Sequence, residues 1–203
     1  KYMSDHGFGD RVTITELLKR NGYRTGHFGK WHIGPKTENG TYGIDVINGN
    51  KRDTKDRATR GRDAYIIDTA IEFLEANAKK GKPLYMNVWG HITHFPVQPP
   101  KAFSDKFKDV VVDESKFNAT MREKFQHCRE LRGDIDEGMR NYLGDVWNMD
   151  AGIGRLLKKV DELGLRKNTI VVFSSDHGPA PVKLGGGRNE APSRIDAARN
   201  MLG

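Results

Sequence analysis

Two basic side chains with complementary chemistry, Lys30 and His32, lie two positions apart within residues 22–34. In an extended segment the side chains at positions i and i+2 share a face, so both are predicted to point the same way while Trp31 packs behind them. Lysine offers a compact positive charge to a tetrahedral oxyanion, and imidazole donates or accepts a proton near neutral pH. The pair therefore suits a sulfate or phosphate ester.

Four more side chains that could bind an anion or a metal ion, or exchange protons, follow two apolar runs further along the chain. His91 and His94 follow the first run, and Asp176 and His177 follow the second. Because ligands bind at the carboxyl edge of a parallel sheet, side chains at several strand exits can converge on one pocket. His91 taken alone is as compatible with a structural hydrogen bond in a loop as with binding an anion or a metal.

The elements that would position these residues are predicted from caps and periodicity. Thr13 and Glu16 have the spacing of a capping box at the start of a helix. The predicted helices cover about residues 14–21, 63–80 and 137–163, and the predicted strands cover about residues 25–30, 84–89 and 169–173. This alternation predicts an α/β fold with a mostly parallel, mixed sheet and helices on both faces.

Two stretches have little periodicity. Residues 35–61 are predicted to be a long loop or a peripheral insertion, and the charged run 51–57 within them is interpreted as a solvated surface. Residues 97–136 are predicted to form a loop with a short helix or two. The weak candidates for substrate specificity in that loop are Arg122, Arg129 and Arg132.

The length, net charge and composition of the chain limit the classes of protein to which it can belong. The 203 residues are 36% hydrophobic and carry a formal net charge of +7, which fits one large domain or part of a larger one and favours anionic ligands. No apolar run reaches the length needed to cross a bilayer, and no nucleic-acid-binding motif is found. The first residues lack the regions of a signal peptide, and Cys128, the single cysteine, cannot form an internal disulfide.

The spacing Gly-Tyr-x-Thr followed by Gly-Lys-Trp-His-x-Gly resembles the second signature of the sulfatase family, within the alkaline-phosphatase-like superfamily. The resemblance implies that Lys30 and His32 contact the nucleophile and the sulfate of the ester. It also implies that His94, in a His-x-Pro motif, contacts the sulfate and the leaving oxygen. His91 is predicted to be a further substrate-binding residue near them.

The segment Ser-Asp-His-Gly at residues 175–178 is similar to the sulfatase segment that gives two ligands to a divalent cation, usually calcium. Calcium takes about six to eight oxygen ligands, so Asp176 and His177 cannot satisfy it alone. The family supplies further carboxylates from a segment nearer its N-terminus. Zinc or manganese is the alternative, since imidazole is an unusual ligand for calcium.

The resemblance also predicts how much of a sulfatase this chain represents. The family's nucleophile is a formylglycine made from the first residue of a Cys/Ser-x-Pro/Ala-x-Arg motif that precedes the signature. Cys128 follows the signature without that motif, so it is not predicted to be the nucleophile. Lys183 lacks the surroundings of the family's second Gly-Lys. Residues 1–203 are therefore predicted to be the central part of a single sulfatase catalytic domain, without the nucleophile segment and the C-terminal part, and inactive alone.

The predicted function is hydrolysis of a sulfated carbohydrate or an aryl sulfate, with Lys30, His32 and His94 as catalytic residues. One alternative is a metal-dependent phosphate or phosphonate ester hydrolase of the same superfamily. Another is a non-catalytic module that binds sulfated glycans through its basic pocket. The family resemblance implies a periplasmic or extracellular location, with no nucleic acid partner and no membrane span.

Overall fold

The structure is a computed structural model that describes residues 6–49, 57–94 and 96–175. These residues separate into two units, and each is described by itself. The first, called the sheet unit, comprises residues 6–49, 57, 63–91 and 151–170. The second, called the helical unit, comprises residues 58–62, 92–94, 96–150 and 171–175.

The described part of the sheet unit contains three strands, β1 (Arg24–Gly29), β2 (Val46–Gly49) and β3 (Leu84–Trp89). Their order is β2-β1-β3, and both outer strands run parallel to the central one. The register between β1 and β3 pairs Gly29 with Trp89, so these two strands end level with each other. The parallel pairing confirms the predicted α/β class with a mostly parallel sheet.

The helix α1 (Ile14–Arg20) begins at the predicted capping box. The hydroxyl of Thr13 accepts a hydrogen bond from the amide of Glu16 at 3.3 Å, and the Glu16 carboxylate accepts one from the amide of Thr13 at 2.7 Å. These two bonds satisfy amides that have no partner within the helix itself. The cap explains why this short helix could be placed from sequence.

The core of the sheet unit lies between β1 and a long helix. A short helix, α2 (Arg57–Arg60), precedes α3 (Ala64–Asn77) in the chain. Phe28 of β1 is 1% exposed and packs against apolar side chains of α3. Those side chains are Ile66, Ala70 and Phe73. Burial of such side chains stabilises the fold by roughly 1.5–3 kcal/mol each, so this contact fixes α3 on the sheet.

The helical unit is built from α4 (Lys101–Ser104), α5 (Ala119–Glu130) and the first part of α6 (Ile135–Glu162). Phe125 and Cys128 of α5 form its buried centre. The apolar side chains packed around them are Val112, Phe117, Met121, Ile135 and Met139. The short helices confirm the prediction for residues 97–136, and α6 confirms the predicted long helix with a start two residues earlier.

The last part of α6 belongs to the sheet unit and packs against α3 through ion pairs and an apolar contact. Arg155 pairs with Asp68 at 2.5 Å, and Lys159 pairs with Glu75 at 2.9 Å. Leu156, between them in sequence, packs against the apolar core around Phe28. Charged and apolar contacts therefore hold the same two helices together.

β2 corrects the prediction that residues 35–61 form a loop or a peripheral insertion. It pairs with β1 over four positions, and Asp45, just before it, accepts a hydrogen bond from the amide of Thr25 at 3.0 Å. A four-residue strand with only Val46 and Ile47 apolar is too short to give a period-two pattern. Residues 50–56, which hold most of the predicted charged run, lie outside the described ranges.

The predicted strand at residues 169–173 is wrong. The chain makes a 3-10 turn at Arg166–Asn168, and the following residues pair with no strand within the described part of the chain. Ile170 and Val172 are 92% and 82% exposed. β-branched residues favour a strand because they pack well on a half-buried pleated sheet. None of the described residues provides a neighbouring strand for this run, so the preference is not realised.

Of the helices within the described ranges, none combines the length and the apolar content that crossing a bilayer requires.

Candidate functional site

The candidate site lies at the edge where β1 and β3 end together. The amide of Lys30, the first residue after β1, donates to the carbonyl of Trp89 at 2.8 Å. Gly29 makes this approach possible, because a Cβ there would lie 2.1 Å from the Trp89 oxygen and the residue has φ of +105°. Lys30, His32 and His91 therefore leave the sheet at one edge, as predicted for residues at the carboxyl ends of parallel strands.

Trp31 anchors the signature segment inside the sheet unit. It is 4% exposed, and its indole N–H donates to the carbonyl of Gly34 at 3.0 Å. Its ring stacks on Tyr42 with the centroids 6.3 Å apart. His32 is exposed and Lys30 is half-buried, so the burial alternates as predicted, with Trp31 inside.

His27 of β1 is a residue of the site that the sequence did not single out. It is fully buried, and its Nε2 lies 2.9 Å from the carbonyl oxygen of Lys30. Its ring meets Trp31 and Trp89 edge to face, with centroids 4.9 and 4.8 Å away. Burial lowers the pKa of His27, although the hydrogen bond to Lys30 opposes this, so the imidazole stays neutral at physiological pH. A histidine inside a strand gives no sequence signal that separates this role from ordinary packing.

His91 is held by Asp63, the residue just before α3. The buried Asp63 carboxylate accepts a hydrogen bond from the His91 amide at 2.8 Å and lies 3.2 Å from its Nδ1. Asp63 makes no side-chain hydrogen bond to the start of its own helix. Its two carboxylate oxygens contact the amide and the ring of His91 instead. Both the backbone and the ring of His91 are therefore oriented, and a contact with substrate stays a prediction.

His94 is exposed and belongs to the helical unit, whereas Lys30, His32 and His91 belong to the sheet unit. Its meeting with those three residues therefore stays a prediction. Within the helical unit, Arg62 donates to the carbonyls of His94 and Pro96, each at 2.5 Å. Arg62, like His27, was not singled out from the sequence, because its position shortly before α3 carries no motif.

The predicted metal ligands Asp176 and His177 lie outside the described residues. Within the three described ranges, no group of three or more His, Cys, Asp or Glu side chains is arranged to hold a metal ion. Calcium needs about six to eight oxygen ligands, so the described residues do not make such a site by themselves. The described groups that leave this edge of the sheet are a lysine and two imidazoles, which suit an anion better than a metal ion such as calcium.

Cys128 lies in the core of the helical unit and is 2% exposed. Burial raises the pKa of its thiol, and the charge of Asp134 adds to this shift. A thiol that stays protonated is a poor nucleophile. The burial supports the exclusion of Cys128 as the nucleophile.

Comparison with known proteins identifies the family. The chain matches the sulfatase family profile over residues 2–201. It is 32% identical over 192 residues to the ulvan-active sulfatase of Formosa agariphila, covering 83% of this chain and 35% of that protein. It is 29% identical over 126 residues to an arylsulfatase of Clostridium perfringens, covering 56% of this chain and 26% of that enzyme.

A solved structure agrees with these sequence matches. The crystal structure of yidJ, a sulfatase candidate from Bacteroides fragilis, superposes with a TM-score of 0.65 at 22% identity, over 85% of this chain and 45% of that one. The chain therefore belongs to the sulfatase family and has its alkaline-phosphatase-like fold. It spans about a third of the length of the ulvan-active relative. The family in general uses a formylglycine nucleophile and depends on a divalent cation.

Proposed function

We propose that residues 1–203 act as the central part of a sulfatase catalytic domain that hydrolyses sulfuric esters. The observation that carries the proposal is the shared edge of β1 and β3, where Lys30, His32 and His91 leave neighbouring parallel strands. A lysine and two imidazoles at one edge can bind a tetrahedral anion and exchange protons with it. The family match over nearly the whole chain supports choosing a sulfate ester as that anion.

In the proposed reaction, Lys30 binds the sulfate oxygens and stabilises the charge that develops on them. A hydroxyl of the hydrated formylglycine, from outside residues 1–203, attacks sulfur and releases its proton to solvent, while the bond from sulfur to the ester oxygen breaks. His94 gives a proton to the departing alcohol. His32 then takes the proton of the second hydroxyl, the bond between the formylglycine carbon and the sulfate oxygen breaks, and the aldehyde reforms as sulfate leaves.

The proposed substrate is a sulfated carbohydrate, with small aryl sulfates as the alternative. The name of the ulvan-active relative supports a polysaccharide substrate, and that of the arylsulfatase relative supports the smaller ester. The net charge of +7 would raise the encounter rate with either anion. A periplasmic or extracellular location is proposed with the same family support.

The proposed cofactor is calcium, with Asp176 and His177 as two of its ligands and zinc or manganese as the alternatives. Family membership supports a divalent cation but not which one. Metal analysis of the purified full-length protein identifies the ion. Zinc together with a preference for phosphate esters would contradict the choice of calcium and sulfate.

The function is tested by measuring rates on aryl sulfate and aryl phosphate with the full-length protein and its Lys30→Ala variant. Because Lys30 carries the charge that binds the sulfate, we expect kcat/KM on the sulfate ester to fall about 100- to 1,000-fold. The control is Lys36→Ala, which removes an exposed lysine six residues further on and is expected to keep full activity. Faster turnover of phosphate would favour the phosphohydrolase, and tight glycan binding without turnover would favour the binding module.

A further inference from the structure

We propose that His27 is a positioning residue for Lys30: its imidazole donates to the Lys30 carbonyl and fixes the backbone from which the Lys30 side chain extends. This inference rests on the proposed function, because it gives His27 a part in binding the sulfate ester. His27 itself is fully buried and acts through Lys30.

The backbone of Lys30 is held on both sides although it lies beyond the end of β1. Its amide donates to the carbonyl of Trp89 at 2.8 Å, and its carbonyl lies 2.9 Å from Nε2 of His27. The first contact comes from the neighbouring strand, and the second comes from a side chain three residues earlier in β1. With both polar groups bound, the peptide planes on either side of Lys30 are fixed in orientation.

The hydrogen bond also determines which tautomer His27 adopts. A carbonyl oxygen only accepts, so the proton of the neutral ring must be on Nε2. Nδ1 is then a bare acceptor, and it is buried with no hydrogen-bond partner among the residues that the structure describes. Leaving a buried polar atom unpaired costs about 1–3 kcal/mol, which an apolar side chain would avoid. Packing alone would therefore favour an apolar residue at this position. We infer that the histidine is present because of its hydrogen bond to the Lys30 carbonyl.

Two tryptophans keep the imidazole of His27 from turning away. Trp31 and Trp89 meet it edge to face, at interplanar angles of 88° and 80°. Trp31 follows Lys30 directly, and Trp89 supplies the carbonyl that binds the Lys30 amide. The same residues thus enclose the ring and flank the backbone that it holds. Such packing pre-orients the lysine before substrate arrives, and misplacement by about 1 Å can cost about 100-fold in rate.

The test compares His27→Gln with His27→Leu in the full-length protein. The glutamine amide can reach the position of Nε2 and donate to the Lys30 carbonyl, whereas leucine fills the space without a donor. We expect kcat/KM on aryl sulfate to fall about 10- to 100-fold in His27→Leu and to stay within about fivefold of wild type in His27→Gln. Phe28→Leu is the matched control, because it disturbs the same buried strand without contacting the Lys30 carbonyl.

A double-mutant cycle with Lys30→Ala separates positioning from general stability. If His27 acts through Lys30, His27→Leu should change the rate of Lys30→Ala by no more than about twofold, while Phe28→Leu should have its full effect in both backgrounds. If the effects of His27→Leu and Lys30→Ala multiply, or if His27→Gln is as impaired as His27→Leu, His27 is a packing residue and the proposal is overturned.

Hydrogen exchange gives a second measurement that does not depend on activity. His27→Leu should speed exchange at the amides of residues 30–34 at least about tenfold, while His27→Gln should not. The peptide that contains Phe125, in the helical unit, serves as the internal reference. Unchanged exchange in His27→Leu would overturn the positioning role. If wild type shows no sulfatase activity, the proposed function fails, and the exchange data still decide whether His27 holds this backbone.

Discussion

Arg62 and Asp63 are neighbours in the chain that hold different parts of the segment after β3. Asp63 binds the amide and the ring of His91, and Arg62 donates to the carbonyls of His94 and Pro96. Backbone beyond a strand end lacks the ladder bonds of a sheet, so side chains must supply its partners. Loops that carry binding residues depend on such supports.

Replacing Arg62 with alanine is expected to lower the kcat of the full-length protein about tenfold through its effect on His94. The guanidinium presents several donors in a fixed planar arrangement, so Arg62→Lys, with one ammonium, should restore only part of the rate. Rates on aryl sulfate and the melting temperature check this together. Arg11→Ala, at an exposed arginine, is the control. Equal kcat in wild type and Arg62→Ala would contradict a role in positioning His94.

The residues that sequence reasoning found carry a motif, and those it missed do not. Lys30 and His32 were found because glycines and Trp31 surround them at fixed spacing. His27 was missed because a buried histidine in a strand looks like any core residue until its bond to Lys30 is seen. Arg62 was missed for the same reason, since its function depends on two carbonyls more than 30 residues away.

At the scale of elements, local signals fixed most boundaries. The capping box located α1, and the nearly continuous apolar run located β3 at the predicted residues. β2 could not be predicted, because its four residues become a strand by pairing with β1. Residues 169–173 show the opposite error, because a strand was predicted there and is not formed. Their β-branched side chains favour a strand, but a strand also needs a partner to pair with.

Asp45 joins three of these elements. Its carboxylate lies 2.8 Å from Lys19 of α1 and 3.4 Å from Arg24 of β1, and it accepts from the amide of Thr25. Burial alone would raise the pKa of Asp45, but the bonds from Lys19 and Thr25 and the charge of Arg24 together lower it. The ionised carboxylate is therefore favoured in the folded state.

The lowered pKa predicts an acid-sensitive contribution to stability. Because the folded pKa lies below the unfolded value of about 3.9, the contribution is present above about pH 4 and is lost as the pH falls through the folded pKa. Asp45→Asn should lower the free energy of unfolding by about 1–3 kcal/mol at pH 7, and the difference from wild type should shrink by pH 3. Urea unfolding at both pH values, with Asp10→Asn as the exposed control, measures it. A difference equal at pH 3 and pH 7 would contradict this account.

At the scale of the whole molecule, the chain combines a parallel sheet unit with a helical unit, and each has its own apolar centre. Lys30, Trp31 and His32 belong to the sheet unit, and Cys128 belongs to the helical unit. Cys128 is therefore a natural reporter for the helical unit, since its thiol is covered in the native state.

Cys128 is expected to react with thiol reagents only when the helical unit opens. Its burial and its raised pKa should make labelling at neutral pH at least about 100-fold slower in the native protein than in urea. Mass spectrometry of the peptide that contains Cys128 measures the rate in the full-length protein. The control carries Ser115→Cys with Cys128→Ala, which places a thiol at an exposed position and should label at once. Rapid native labelling of Cys128 would contradict the buried position.

The approach of β1 and β3 at Gly29 has a consequence for protein engineering. A methyl group at that position would overlap the Trp89 oxygen, so the glycine before Lys30 is required by the spacing of two backbones and not by the reaction. A designer who grafts the Lys-Trp-His triplet onto another scaffold must therefore also supply a neighbouring strand whose last carbonyl comes equally near. Without that strand the graft would reproduce the side chains but not the direction in which they leave the sheet.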